Sequence, residues 1–522
     1  MTTADKFVDE FEGEVFQLYR ARNLAYWEHS IAGSEESATD LKVKSLALKA
    51  LYEDRERFQG VRQLLRAGGH SQVVERCLTL MDYAFTANQG DPAIKKRIVE
   101  LEVEVSTVFG KHRPTLQGKE VSDNEIEGIL RNERDEAVRR SAWYASKEVG
   151  PKAVPILREL VRLRNDEARS LGYRDYYQMM MGLQEIDLGW LLRTWAELEE
   201  KTRSVHGALM EDLRAATQAF LGSMAPSLRP WDASDPFFQR VPPWLVQEAS
   251  GTVDKDVVEA ARKTYADLEM PVDAILSRSD LYEKAGKNPH AYCMDVDRSG
   301  DIRVLANCIN DERWANTMLH ELGHAVYDEY VSPALPFTLR TPAHIASTEA
   351  IAILMGRLSR DPAWRQRYLG DSSADGLQSR RYRRAESLIF LRWVLVMTYF
   401  EKALYEAPER NLEDLWWDLV ERYQGIERPQ PLPGYSWATK IHIAKSPVYY
   451  HNYLLGEMMS WQMEDHIAEV TGRPGLVENA AGMALLKEDL FRYGSLRDWA
   501  NSLKVALGEE FNPGAYLRVV GA

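Results

Sequence analysis

Residues 316–330 read NTMLHELGHAVYDEY, which sets His320 and His324 four residues apart with Glu321 directly after the first. On a helix, positions i and i+4 share one face, so two imidazoles can reach one cation from the same side. Glu321 then projects about 100° round the helix from His320, beside the cation, where it can take a proton from an attacking water. Two histidines and a neighbouring glutamate at this spacing point to zinc and to metal-assisted hydrolysis. Such a centre needs a third protein ligand and an open position. A third histidine six residues after His324 would supply one kind of set, but Tyr330 stands there, and Tyr327 stands where that pattern needs glycine. Glu349 is the better candidate. It lies 25 residues after His324 in a second helical pattern, AHIASTEAIAILMGRLSR. The stretch between, VSPALPFTLRTP, is long enough to bring two helices side by side. Asp328 and Glu329 read as solvated helix charges, with carboxylates that orient His324 as the alternative, and His344 reads as structural.

Helical periodicity dominates the elements that must carry these residues. Phe7, Val8, Phe11, Val15, Leu18 and Tyr19 recur at three- and four-residue spacing with acidic residues between them. Similar patterns fill roughly 1–220 and 380–510. Two stretches differ. Residues 224–245, MAPSLRPWDASDPFFQRVPPWL, are too rich in proline for continuous helix and read as an ordered crossover. Residues 290–308 alternate Tyr292, Met294 and Val296, turn at DRSGD, then alternate Ile302 and Val304, which predicts a short β-hairpin just before the His320 helix. The expected fold is mainly α: one domain over 1–522, with helical subdomains of roughly 1–225 and 246–522 joined by the Pro-rich crossover, and a small antiparallel sheet beside the zinc helix.

The net charge of −14 argues against nucleic acid or an anionic membrane as partner. Three cysteines, Cys77, Cys293 and Cys308, do not make a disulfide framework. The N-terminus is acidic where a signal peptide needs a basic start and an apolar run, and no apolar run is long enough to span a bilayer. These features lead to the expectation of a cytoplasmic protein.

With these motifs in place, the chain resembles the angiotensin-converting enzyme family of zinc peptidases and, more distantly, thimet oligopeptidase. These are gluzincins, in which a glutamate ligand follows the two histidines. The resemblance runs through residues 6–31, the segment from Glu133 to Met180, WATKIHIAKSPVYYHNYLLGEMM (437–459) and GSLRDWANSLKVALG (494–508); the middle, about 205–280, matches poorly. It implies two helical halves flanking a deep groove, one zinc held by His320, His324 and Glu349, and Glu321 as the base. It implies a strand at 290–294, with His290 and Ala291, whose backbone pairs with an extended peptide. It also implies His442 and Tyr453 as donors to the tetrahedral intermediate, and Lys440 with Tyr450 as the holder of a peptide's C-terminal carboxylate.

The implied activity is zinc-dependent hydrolysis of short peptides, as a peptidyl-dipeptidase releasing C-terminal dipeptides. The alternatives are an oligoendopeptidase of the thimet type and a catalytically silent peptide-binding homologue. Several positions depart from the family pattern. Pro289 stands where a half-cystine would pair near Cys308. Asn452 stands where an arginine helps bind chloride. One extra residue makes Tyr449 an alternative to Tyr450. Ile353 replaces an aspartate that supports the metal site, so another group must take that role.

Overall fold

A computed structural model of the chain describes residues 2–222, 226–246, 253–372 and 375–522. The described residues are mostly helix, with two two-stranded antiparallel sheets, as the periodicity predicts. No described helix is long and apolar enough to cross a membrane. None of the three cysteines is in a disulfide.

The chain forms two compact units, and neither is a contiguous half. The first comprises Met1–Gln89, Ala249–Gly376 and Leu455–Tyr516; the second comprises Gly90–Glu248, Leu377–Leu454 and Leu517–Ala522. The subdomain halves at 1–225 and 246–522 do not coincide with this division. A Pro-rich stretch marks a change of local structure, whereas a compact unit is defined by which helices bury their apolar faces together. Met224 and Ala225 of that stretch lie outside the described residues.

The first unit opens with the helix Thr3–Ala32. Its start is fixed reciprocally by Thr2 and Asp5, each side chain bonding the other's backbone N–H. Val8, Phe11 and Val15 form its buried stripe and pack with Cys77, Leu78 and Phe85. The helix that carries the histidine motif, Glu312–Glu329, is capped by the Asp311 carboxylate, which accepts from the Trp314 N–H at 2.7 Å. The helix that carries Glu349 runs Ile345–Gly356 and is capped by His344, whose Nδ1 accepts from the Ala346 N–H at 3.0 Å. His344 is thus structural, as the sequence reading assigns it.

These two helices lie in backbone contact. A Cβ on Gly323 would sit 2.9 Å from the Ala352 Cα and 3.2 Å from the Ile351 carbonyl oxygen. A third helix, His451–Thr471, approaches on the other side, where a Cβ on Gly456 would lie 3.0 Å from the Glu349 Cβ. Leu319, Leu322, Val326, Ile351 and Met355 fill the remaining space and are fully buried. Each contributes about 1.5–3 kcal/mol. One hydrogen bond ties the two helices to each other, and another ties the first of them to the helix Val257–Asp267. Asn316 Nδ2 donates to the Gly356 carbonyl at 2.7 Å, and the Tyr265 hydroxyl donates to the Leu319 carbonyl at 2.6 Å.

The expected hairpin is present in this unit. Tyr292–Asp295 pairs antiparallel with Ile302–Leu305, in the register Cys293 opposite Val304. Asp295 and Asp297 carboxylates tie the turn by accepting from the N–H groups of Arg298, Ser299 and Asp301. His290 and Ala291 fall just before the first strand, because the Asn288 side chain takes up the His290 N–H in a bend. The expected strand at 290–294 therefore starts two residues late.

The second unit has an aromatic interior in which Trp143, Trp393 and Trp437 are fully buried. Its part of the Pro-rich stretch contains one turn of 3-10 helix, Pro230–Asp232. The buried Arg139 guanidinium orders it by donating to the Trp231 and Ala233 carbonyls at 2.9 Å.

Gly323→Ala should lower the unfolding free energy by about 1–3 kcal/mol in a urea titration, because the added methyl meets backbone that cannot yield. Gly128→Ala, in the helix Asp123–Asn132 with nothing within 4 Å of the new methyl, is the control and should not destabilise. Equal stability of both variants would show that the two helices have room to spare.

Candidate active site

The helix pair brings three of the expected residues together. His320 and His324 lie one turn apart with their rings edge to face, the centroids 4.9 Å from each other. His320 Nε2 lies 3.7 Å from Glu349 Oε2. One ligand atom from each of the three lies within 4.8 Å of the others. A tetrahedral ion with bonds of about 2.1 Å sets its ligand atoms about 3.4 Å apart, so the pair at 3.7 Å is close to such an edge. Burial pushes the His320 imidazole down to about 4. Burial, reinforced by His320, holds His324 well below the usual histidine range. Both rings are therefore neutral at neutral pH, the form that ligates a metal.

Each ring is also oriented from behind. His324 Nδ1 lies 2.6 Å from the Thr348 hydroxyl, and the His320 ring bonds the Ala352 backbone carbonyl. Such contacts fix the ring and the nitrogen left for a metal. The donor set of two oriented neutral imidazoles and a carboxylate fits a divalent transition ion, zinc among them. Thr348 escapes the sequence reading, which looked for a carboxylate at the position of Ile353. The one available signal was a hydroxyl residue directly beside the candidate ligand. Asp328 is not the solvated charge expected of it. It lines a polar cavity of about 240 Å³ with Asp295, Arg298 and Arg340. Burial, and then Asp295, push its carboxyl well up.

Glu321 stands beside the three ligands. Burial and then the charge of Glu349 raise its carboxyl to about 8, opposed by a hydrogen bond accepted from the Cys293 N–H. That bond shows which way the hairpin edge faces. Val304, opposite Cys293, gives its N–H to Ser279 Oγ at 2.8 Å, and its carbonyl accepts from the Asp280 N–H at 3.0 Å. Both groups of Val304 point away from the first strand, so those of Cys293 point to that strand's outer edge. His290 is exposed and Ala291 half-buried.

The second unit gathers the other expected residues. Lys440 is buried, its Nζ 3.1 Å from Gln239 Oε1 and over the rings of Phe237, Trp393 and Tyr450 at 4.9–5.6 Å. The His442 ring lies 5.1 Å from that of Tyr450, which lies 5.7 Å from that of Tyr453. Tyr449 packs on Tyr453 at 5.1 Å, so the neighbour of Lys440 is Tyr450. Burial lowers Lys440 to about 8, with Asp235 pulling back. Burial, then Lys440, lower His442 to about 4. His442 Nδ1 is buried with no protein partner in hydrogen-bond reach.

Gln239 is another residue that the sequence reading missed, because it sits in the Pro-rich connector. The Asp235 carboxylate holds it there by accepting from the N–H groups of Phe237, Gln239 and Arg240.

Thr348→Val keeps the shape and removes the bond to His324. Zinc affinity, measured by competition with a chromophoric chelator, should fall about 10–100-fold with the unfolding midpoint nearly unchanged. Unchanged affinity would remove Thr348 from the centre.

Two family models match the chain. The one described as angiotensin-converting enzyme covers residues 1–204, and the one described as peptidase family M3 covers residues 276–522. The unmatched middle is the stretch whose resemblance is poor. All of His320, His324, Glu349 and the 440–453 segment fall in the M3 match. Among curated proteins, the chain is 22% identical over 432 residues to the angiotensin-converting enzyme-like protein Ace3 of Mus musculus, covering 74% of this chain and 57% of that protein. It is 23% identical over 235 residues to the inactive angiotensin-converting enzyme-related protein of Caenorhabditis elegans, covering 42% of this chain and 25% of that one. The chain thus spans less than two thirds of the length of either relative. With the two matches on either side of the middle and the histidine–glutamate cluster in place, the chain is similar to the gluzincin metallopeptidases of the angiotensin-converting enzyme and M3 type.

Proposed function

We propose that this chain is a zinc-dependent peptidase of short peptides that releases dipeptides from their C-terminal end. The observation that carries the peptidase reading is the meeting of Glu321 with two neutral histidines, Glu349 and the outer edge of the hairpin. His320, His324 and Glu349 would hold the metal. Zinc bound there supplies Lewis acidity toward the scissile carbonyl and the attacking water. Glu321 takes the proton from that water and delivers it to the leaving amine. A divalent cation held beside Glu321 would favour the ionised form that accepts the proton, against the burial that raises it. The Cys293 carbonyl at the outer edge of the hairpin offers the substrate peptide an acceptor, and the resemblance adds the backbone of Ala291. His442 and Tyr453 are assigned as donors to the developing oxyanion on the resemblance of their segment.

The dipeptide-releasing mode rests on Lys440. A buried ammonium among aromatic rings, with Gln239 and Tyr450 beside it, is matched to a single carboxylate rather than to solvent. A second reading, an oligoendopeptidase, is favoured by the M3 match over the half that carries the ligands. A silent binding protein is disfavoured by the presence of Glu321 beside the ligand set.

Mass spectrometry of the products from one decapeptide, with a free and with an amidated C-terminus, tests the proposal. Zinc-loaded protein should remove dipeptides stepwise from the free form only. Lys440→Met should raise KM for that form about 10–100-fold, the worth of a hydrogen-bonded charge. Internal cuts in both forms would establish the oligoendopeptidase, and no cleavage of either by zinc-loaded protein would leave a binding homologue.

A further inference from the structure

Between His442 and Tyr450 the backbone takes a conformation its sequence resists. Val448 has φ +55°, and it is the one β-branched residue with positive φ among the described residues. A branched side chain in that region clashes with its own backbone, and glycine or asparagine takes it far more readily. The Val448 side chain is nevertheless fully buried. Such a conformation persists only where the surroundings over-determine it.

Here two side chains do so. The Glu401 carboxylate, from the helix Gly376–Glu406, accepts the Val448 N–H at 2.8 Å and is itself buried. Gln184, just after the helix Tyr176–Leu183, donates from Nε2 to the Val448 carbonyl at 3.0 Å. The Gln184 Oε1 reaches onward to the helix that begins at His451. It accepts from Asn452 Nδ2 at 2.8 Å and from the His451 ring at 3.1 Å. Both backbone groups of the strained residue, and the first turn of the helix that carries Tyr453, are thus held from outside the segment.

We infer that Glu401 and Gln184 are positioning residues: together they clamp the Val448 turn in its high-energy form and so set Tyr450 and Tyr453 for their roles. Neither touches the substrate in this account. The kinetic part of the inference rests on the proposed peptidase function; the conformational part does not.

The test uses Glu401→Leu and Gln184→Leu, which remove the clamp, and Glu401→Gln, which keeps an acceptor for the Val448 N–H. Gln184 is only half-buried, so its variant keeps the question open to test if Glu401→Leu does not fold. Assays run well below every unfolding midpoint and are normalised to bound zinc. Misplacement of reacting groups by about 1 Å costs about 100-fold, so kcat should fall 10–100-fold in the two leucine variants, with KM rising as well because Tyr450 leaves the carboxylate's place. Glu401→Gln should recover most of the loss.

Crystal structures of the leucine variants supply the arm that is independent of activity. Val448 should return to negative φ, with the Tyr450 ring moved from its place beside His442. Wild-type kcat in folded leucine variants, or an unchanged turn in their structures, overturns the clamp. If the wild-type protein cleaves no peptide, the proposed function fails and the structures alone decide the clamp.

Discussion

Gly323 meets the backbone of Ile351 and Ala352 with no side chain between them, and Gly456 meets Glu349 on the opposite face. Helices that pack through ordinary side chains stand about 8–10 Å apart, and the closer approach here fixes how near Glu349 and Thr348 come to the two histidines. Backbone contact brings Glu349 to within ligand distance of His320 and lets Thr348 reach His324. It also lets Ala352 offer its carbonyl to His320. The buried leucines, valine and isoleucine around the contact supply the energy that holds the helices together. The site is therefore a consequence of packing before it is a matter of chemistry.

Burial then sets the charge states. It drives both histidines toward the neutral form and Glu321 toward the protonated form. The histidines gain from this, because a neutral imidazole is the ligand. For Glu321 it is a conflict, since burial and the charge of Glu349 both disfavour its ionised form. A divalent cation resolves it by attracting both carboxylates. The same logic in the second unit gives a lysine and a histidine that are hard to keep charged without a counter-ion, which suits an anionic end group. The Val448 turn adds a third device, in which hydrogen bonds hold a backbone that its own side chain disfavours.

The sequence makes the metal cluster legible because its geometry is local. A four-residue spacing on one helix and a loop of adequate length to a second helix suffice to bring His320, His324 and Glu349 together. The mainly α character and the hairpin are legible for the same reason, since they follow from periodicity and a turn. What escapes is what depends on tertiary contact. Thr348 and Gln239 have residue types that carry no signal until their neighbours are known. Asp328 looks like any surface aspartate on a helix, yet a cavity and a second carboxylate await it. The resemblance implies a strand that includes His290 and Ala291, whereas the alternation starts at Tyr292, where the strand begins after Asn288 bends the chain. The two compact units are each assembled from three separate segments, which no composition change along the chain announces.

The central claim is that Glu321 moves the proton in a metal-dependent hydrolysis and does not itself hold the metal. Glu321→Gln tests it most directly, with zinc content and peptide turnover measured on the same preparation. The account predicts equal zinc, one ion per chain, in the variant and the wild type, with turnover lower by about 10²–10⁴-fold. Equal turnover with zinc retained would contradict it.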